Sequence, residues 1–189
     1  MVALDAPKAD FTFVAQDFNL LGVDGKHHTL NDCSGVNGLI VMFICNHCPY
    51  VLSIIQDIVK DVELLRQEYQ VNSVAIMSND IQLYPEDSFI NMITFAHKNN
   101  FTFPYLIDST QKIARAYSAV CTPDFFGFNS YLKLCYRGRF NETSKEKEHN
   151  YIVGSSELFK AMKLIAETNH APLIQTSSIG CSIKWSHVT

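Results

Sequence analysis

Runs of continuously apolar residues alternate along this chain with stretches in which apolar residues recur every three or four positions. Leu39-Ile40-Val41-Met42-Phe43-Ile44 has no polar member, as in a strand covered on both faces. It leads into Pro49–Tyr69, where Leu52, Ile55, Ile58, Val59, Val62 and Leu65 repeat at helical spacing. That spacing predicts a helix with one buried face. Val71–Met77 predicts a second buried strand. Pro85 to Asn99 predicts a helix, because Pro suits a first turn and Phe89, Met92, Ile93 and Ala96 share a face. A short strand at Phe103–Leu106 and a helix around Thr110–Tyr117 follow. Asp124–Phe128 and Lys133–Arg137 read as a hairpin through Asn129-Ser130. Ser155 to Thr168 reads as a last helix capped by Ser155 or Ser156. Upstream, Phe11-Thr12-Phe13-Val14 alternates like the start of a strand, and Asn19–Leu30 reads as a hairpin turning at Asp24-Gly25.

Strands separated by helices imply an α/β fold whose front half is parallel and whose last hairpin is antiparallel. The central mixed sheet is expected to be flanked by helices, with an N-terminal β extension and a C-terminal tail. With 189 residues and 47% hydrophobic content, one domain over residues 1–189 is the simplest division, with 172–189 as tail. The charged run Asn141–Asn150 has no apolar anchor and is expected to be a mobile surface loop.

Charge and composition narrow the function. A formal charge of −4 without a basic cluster argues against nucleic acid as a partner. No apolar stretch reaches the roughly 20 residues of a membrane span. Met1-Val2-Ala3-Leu4-Asp5-Ala6-Pro7 lacks the basic start and apolar block of a signal peptide. A cytoplasmic, reducing location is therefore expected. The six cysteines, Cys33, Cys45, Cys48, Cys121, Cys135 and Cys181, are then expected as thiols rather than as a disulfide framework.

Cys45-Asn46-His47-Cys48 falls where the apolar strand hands over to the helix. A helix N-terminus presents unpaired N–H groups and the positive end of the macrodipole, and both favour a thiolate. In a reducing compartment, two cysteines at this spacing mean redox chemistry or metal. A single such pair is weak evidence for zinc, and the remaining histidines have no ligand spacing. No metal ligand and no cofactor are assigned.

A second segment, Val120-Cys121-Thr122-Pro123-Asp124-Phe125-Phe126, joins Phe43–Val51 in carrying a resemblance. Cys-x-x-Cys at a strand-to-helix turn, with Thr-Pro before a late hairpin, resembles the thioredoxin fold. More narrowly, the chain resembles the peroxiredoxin-like redoxins of the alkyl hydroperoxide reductase/thiol-specific antioxidant superfamily with a thioredoxin-type Cys-x-x-Cys. Tyr84–Ser88, Phe103–Leu106, Tyr136–Arg139 and Ile179–Trp185 support the match.

The resemblance implies a thiol–disulfide oxidoreductase. Cys45, nearer the open end of the helix and expected to be the more exposed, would attack a disulfide. Cys48 would resolve the mixed disulfide. His47 would favour the thiolate as an imidazolium. Thr122-Pro123 is expected to be cis, with Pro123 against the cysteines and the Thr122 backbone free to pair with an extended substrate. Cys121 and Cys181 are candidate further redox thiols, although Cys121 equally suits a small buried residue and Cys181 a tail packed through Ile183 and Trp185. Arg137 and Arg139 read as surface charges.

The chain departs from both parent patterns. Peroxiredoxins place Thr or Ser three positions, and Pro seven positions, before the peroxidatic cysteine; aligned on Cys48, those positions hold Cys45 and Val41. Thioredoxin's buried carboxylate position is Leu39, so no buried base is expected beside the pair. A thiol peroxidase using Cys48 or Cys45 is the alternative reading, and a metal- or copper-binding module ranks below both. Partners are accordingly a protein or small-molecule disulfide or a peroxide, and a thiol electron donor.

Overall fold

The computed structural model describes residues 3–142 and 151–186. From position 143 the charged run expected to form a loop lies outside the described residues. In chain order the elements are β1 (Ala3–Asp5), β2 (Asn19–Gly22), β3 (His27–Thr29), α1 (Leu30–Cys33), β4 (Gly38–Phe43), α2 (Pro49–Tyr69) and β5 (Val71–Met77). A 3-10 turn at Pro85–Asp87 precedes α3 (Phe89–Lys98), β6 (Tyr105–Ile107), α4 (Lys112–Ala116) and β7 (Cys121–Thr122). β8 (Asp124–Phe128), β9 (Leu134–Gly138), α5 (Glu157–Thr168) and β10 (Ile179–Ser182) complete the described elements.

Seven strands form a mixed sheet in the order β3-β2-β6-β5-β4-β8-β9. β4, β5 and β6 run parallel, while β8 and β9 are antiparallel. Central β4 shows why its sequence is continuously apolar. Ile40 and Met42 pack on one face with α2 and α5; Leu39, Val41 and Phe43 pack on the other with Tyr117, Phe126 and Phe128. Period-2 alternation thus feeds two separate cores. α2 buries Val51, Ile55, Ile58, Val62 and Leu65, whereas Leu52 is half exposed. α2 ends at Gln70 in a left-handed conformation, whose N–H bonds to Leu65 O.

A second sheet, β1-β10-β7, carries the tail. β10 lies between β1 and β7, in register Cys181 with Ala3 on one side and with Thr122 on the other. The α/β architecture with its mixed sheet, N-terminal extension and tail is as expected. Four details differ. Phe11–Val14 is not a strand, because Asp10 Oδ1 takes the Thr12 N–H and hydroxyl, closing a turn. The Pro85–Asn99 helix divides at Ser88, whose ψ of 154° is extended. β6 starts two residues later than expected. The tail supplies a paired strand as well as the packing contacts of Ile183 and Trp185.

Candidate active site

β4 stops at Phe43, and Ile44 N–H still bonds to Ile76 O of the neighbouring strand segment. Four residues after Ile44, Cys48 is the N-cap of α2 and Pro49 its first residue, where the missing N–H costs nothing. The strand end and the helix start therefore fix Cys45 and Cys48 at the carboxyl edge of the sheet. The expected difference in exposure is absent: both thiols are buried, at 1% and 0%.

The Thr122–Pro123 peptide is cis, as expected. Cys48 Sγ lies 3.1 Å from Thr122 O, and Cys45 Sγ lies 3.5 Å from Thr122 Oγ1. The Thr122 backbone is not free, however. It is paired with Cys181 of the protein's own tail, which brings Cys181 Sγ to 3.0 Å from Cys48 Sγ. Cys121, on the neighbouring position of β7, directs its thiol at Pro123 O, 3.9 Å away, and burial pushes its pKa up. The site thus gathers three sulfurs, Cys45, Cys48 and Cys181. All six cysteines are free thiols.

These sulfurs share protons. The Cys48 thiol is pulled down to about 5, first by the hydrogen bond from Cys45, with help from Cys181 and the Val51 N–H and against burial. The Thr122 carbonyl at 3.1 Å accepts from a protonated Cys48 and so opposes its ionisation. Cys45 is pushed up, first because it donates to Cys48, then by burial and the charge of Asp87. Burial and donation to Cys48 raise Cys181 to about 12. One negative charge on this cluster is therefore carried by sulfur–sulfur hydrogen bonds and a helix N-terminus.

A buried carboxylate does stand beside the pair, contrary to expectation. Asp87 reaches in from the 3-10 turn, not from β4. It is fully buried, its Oδ1 accepts the Asn46 N–H at 2.8 Å, and its Oδ2 accepts from Asn79 Nδ2 at 2.7 Å. Asn46 also donates to Glu86 O and accepts from Tyr105 Oη. Asn79 Oδ1 in turn accepts the Lys184 N–H at 2.9 Å. The loop between the cysteines is thereby tied to the 3-10 turn, β6 and the tail at once. His47 stacks flat on Tyr84, with ring centroids 5.7 Å apart and planes within 5°. Its Nδ1 lies 2.8 Å from Asp87 Oδ2, yet is not aligned to bond to it. Cys45 Sγ, a His47 ring nitrogen and an Asp87 oxygen lie within 4.8 Å of one another. Of the arginines, Arg137 is buried rather than on the surface and pairs with Asp124 at 2.9 Å. Arg139 pairs with Glu157 at 2.7 Å.

Two cysteines at a helix start, a cis-proline beside them and a mixed sheet behind define a thioredoxin-like redoxin. The model of the AhpC/TSA family matches residues 13–144, and the chain belongs to that family. Among solved structures, an uncharacterised conserved protein from Geobacillus kaustophilus is 37% identical; the match covers 100% of this chain and 99% of that one, with a TM-score of 0.89. A hypothetical protein from Sinorhizobium meliloti 1021 is 31% identical over 97% of this chain and 99% of its own, also at 0.89. A thiol:disulfide interchange protein of the thioredoxin family from Chlorobium tepidum shares the fold, at 19% identity over 69% of this chain and 87% of its own, with a TM-score of 0.56. No functionally curated protein matches the sequence. Among the described residues no helix is long and apolar enough to cross a membrane.

Proposed function

We propose that this protein is a thiol–disulfide oxidoreductase in which Cys45 and Cys48 are the redox pair. The observation that carries the reading is the convergence of both thiols on Thr122-Pro123 at the N-terminus of α2. Loss of the Cys45 thiol proton to solvent as the substrate arrives frees the Cys45 thiolate, and the sulfurs expelled from the substrate take up protons from solvent. That thiolate attacks one sulfur of a substrate disulfide, forming a mixed disulfide and expelling the other sulfur as a thiolate. Cys48, whose ionised form is the favoured one, then attacks Cys45. The pair closes to a disulfide and the substrate leaves with both sulfurs reduced. An external dithiol restores the pair by the reverse exchange. The fold shared with a thiol:disulfide interchange protein agrees with this chemistry.

The route we infer for the substrate is a cavity of about 250 Å³ beside Pro123, whose wall combines Ile54, Phe125 and Phe140 with Arg139 and the polar residues 176–178. Its mixed walls suit an extended peptide with an apolar side chain and backbone polar groups to pair. Because β10 holds the Thr122 edge, a substrate strand must displace it or deliver its disulfide from the cavity side. The experiment is reduction of insulin by dithiothreitol in the presence of the protein: Cys45→Ser abolishes the acceleration, and full retained activity in that variant refutes the reading.

The contact between Cys48 and Cys181 favours a second reading, a thiol peroxidase. A peroxide oxidises the Cys48 thiolate to a sulfenic acid with release of water or alcohol, and Cys181 condenses with it to a disulfide and water. Stopped-flow thiol loss with hydrogen peroxide tests it; a rate no faster than that of a free thiol rejects it.

A further inference from the structure

The Cys45, His47 and Asp87 cluster offers one cysteine sulfur, one imidazole nitrogen and one carboxylate oxygen within 4.8 Å of one another. This is the ligand mixture of a zinc-type centre with three protein ligands and an open fourth position. Tetrahedral zinc, with Zn–N about 2.0 Å and Zn–S about 2.3 Å, sets its ligand atoms roughly 3.3–3.5 Å apart. The cluster's atoms lie within 4.8 Å of one another, and the His47 nitrogen and Asp87 oxygen at 2.8 Å, so closing on an ion asks for shifts on the order of 1 Å.

Three observations go beyond proximity. His47 Nδ1 is a buried nitrogen with no hydrogen-bond partner, although a carboxylate oxygen lies 2.8 Å away. Its in-plane direction is therefore uncommitted. The His47 ring is held flat on Tyr84. Asp87 is oriented by the Asn46 N–H and the Asn79 amide, the kind of outer contact that fixes a ligating carboxylate. Anchoring the loop accounts for the Asp87 contacts to Asn46 and Asn79 but leaves the His47 nitrogen without a hydrogen bond.

We propose that the reduced protein binds one zinc-class divalent cation through Cys45 Sγ, His47 Nδ1 and Asp87, with water in the fourth position. Binding displaces the Cys45 thiol proton to solvent. Closure of Cys45 and Cys48 to a disulfide removes the thiolate ligand and releases the ion, so metal occupancy and disulfide exchange exclude each other. The metal site stands on His47 and Asp87, which the exchange chemistry does not require, so either can fail without the other.

The test is anaerobic titration of fully reduced, chelator-treated protein with cobalt(II), followed by zinc displacement against a chromophoric chelator. The expected result is one cobalt per chain, with a near-ultraviolet thiolate charge-transfer band and the visible bands of tetrahedral cobalt, all lost on oxidation. His47→Ala and Asp87→Asn weaken binding by about 10–100-fold or more, while thiol count and circular dichroism stay as in the parent. Asn at position 87 keeps an oxygen for the Asn46 N–H but loses the acceptor for Asn79 Nδ2, so His47→Ala, which leaves both of those contacts in place, is the variant that decides. Absence of a thiolate–cobalt band in the parent protein overturns the proposal. So does undiminished binding in both folded variants, which would leave the cysteines alone as ligands.

Discussion

Cys48 Sγ and Cys181 Sγ lie 3.0 Å apart although the residues are separated by 133 positions in sequence. The contact exists because β10 pairs with β7 in the register that sets Cys181 opposite Thr122. A disulfide needs an S–S distance of about 2.05 Å, so closure calls for about 1 Å of movement. We predict that Cys45→Ser, oxidised with diamide, forms an intramolecular Cys48–Cys181 disulfide. Peptide mass mapping after alkylation checks it. A Cys181 that stays fully alkylated would show that the tail thiol plays no part.

Gly180 makes this pairing possible. A Cβ there would land within contact distance of the Thr122 carbonyl oxygen and carbon. These are backbone atoms in a sheet and cannot swing aside. Gly180→Ala is expected to push β10 off β7, costing about 1–3 kcal/mol. The yield of the Cys48–Cys181 disulfide in the Cys45→Ser background should fall with it. Thermal unfolding and the same mapping read the two effects.

Asp87 ties the loop between the cysteines to the rest of the molecule. Asp87→Ala leaves the Asn46 N–H and the Asn79 amide without their acceptor. A buried donor left unsatisfied costs about 1–3 kcal/mol. Loss of stability and faster alkylation of Cys45 are both expected; unchanged melting temperature and unchanged alkylation would contradict the anchoring role.

Asp124 gives a pH dependence of defined sign. Burial raises its carboxyl from 3.8 to about 6, against the opposing pull of the Arg137 guanidinium. The folded protein therefore holds this proton more tightly than the unfolded chain. The contribution is complete below about pH 4 and is lost as pH rises through about 6, amounting to at most roughly 3 kcal/mol. Other carboxylates, such as Glu63, lowered to about 2 by Arg66, tilt stability the opposite way. The quantity to measure is thus the difference between the parent and Asp124→Asn in denaturant unfolding from pH 4 to 7. That difference should shift in the parent's disfavour as pH rises; a flat difference would contradict the raised carboxyl.

Much of this was legible in the sequence where one element carries its own pattern. β4 reads as buried because both its faces are covered, and α2 because its apolar face repeats over 21 residues. The cysteine pair and the Thr-Pro were legible from local spacing and from family resemblance. Contacts that cross the chain left no such trace. The family pattern puts a buried carboxylate at the strand position of Leu39, whereas Asp87 arrives from a turn 41 positions beyond Asn46. Ile179–Ser182 carries Gly and Ser and shows no strand signal, so the sequence offers Cys181 as a candidate redox thiol without the pairing with β7 that brings it to Cys48. Arg137 read as a surface charge because its partner, Asp124, lies on the adjacent strand of the hairpin. In Tyr84-Pro85-Glu86-Asp87-Ser88, an acidic residue in a Pro-initiated turn before a helix is the sequence signal for the Asp87 carboxylate.

The central claim is that Cys45 and Cys48 exchange disulfides as attacker and resolver, and trapping the intermediate tests it most directly. Metal-free Cys48→Ser protein, mixed with a disulfide-bonded peptide and quenched with acid, should accumulate a covalent adduct that mass spectrometry places on Cys45, while Cys45→Ser accumulates none at that position. Absence of any adduct in Cys48→Ser, or an adduct carried by a cysteine other than Cys45, would contradict it.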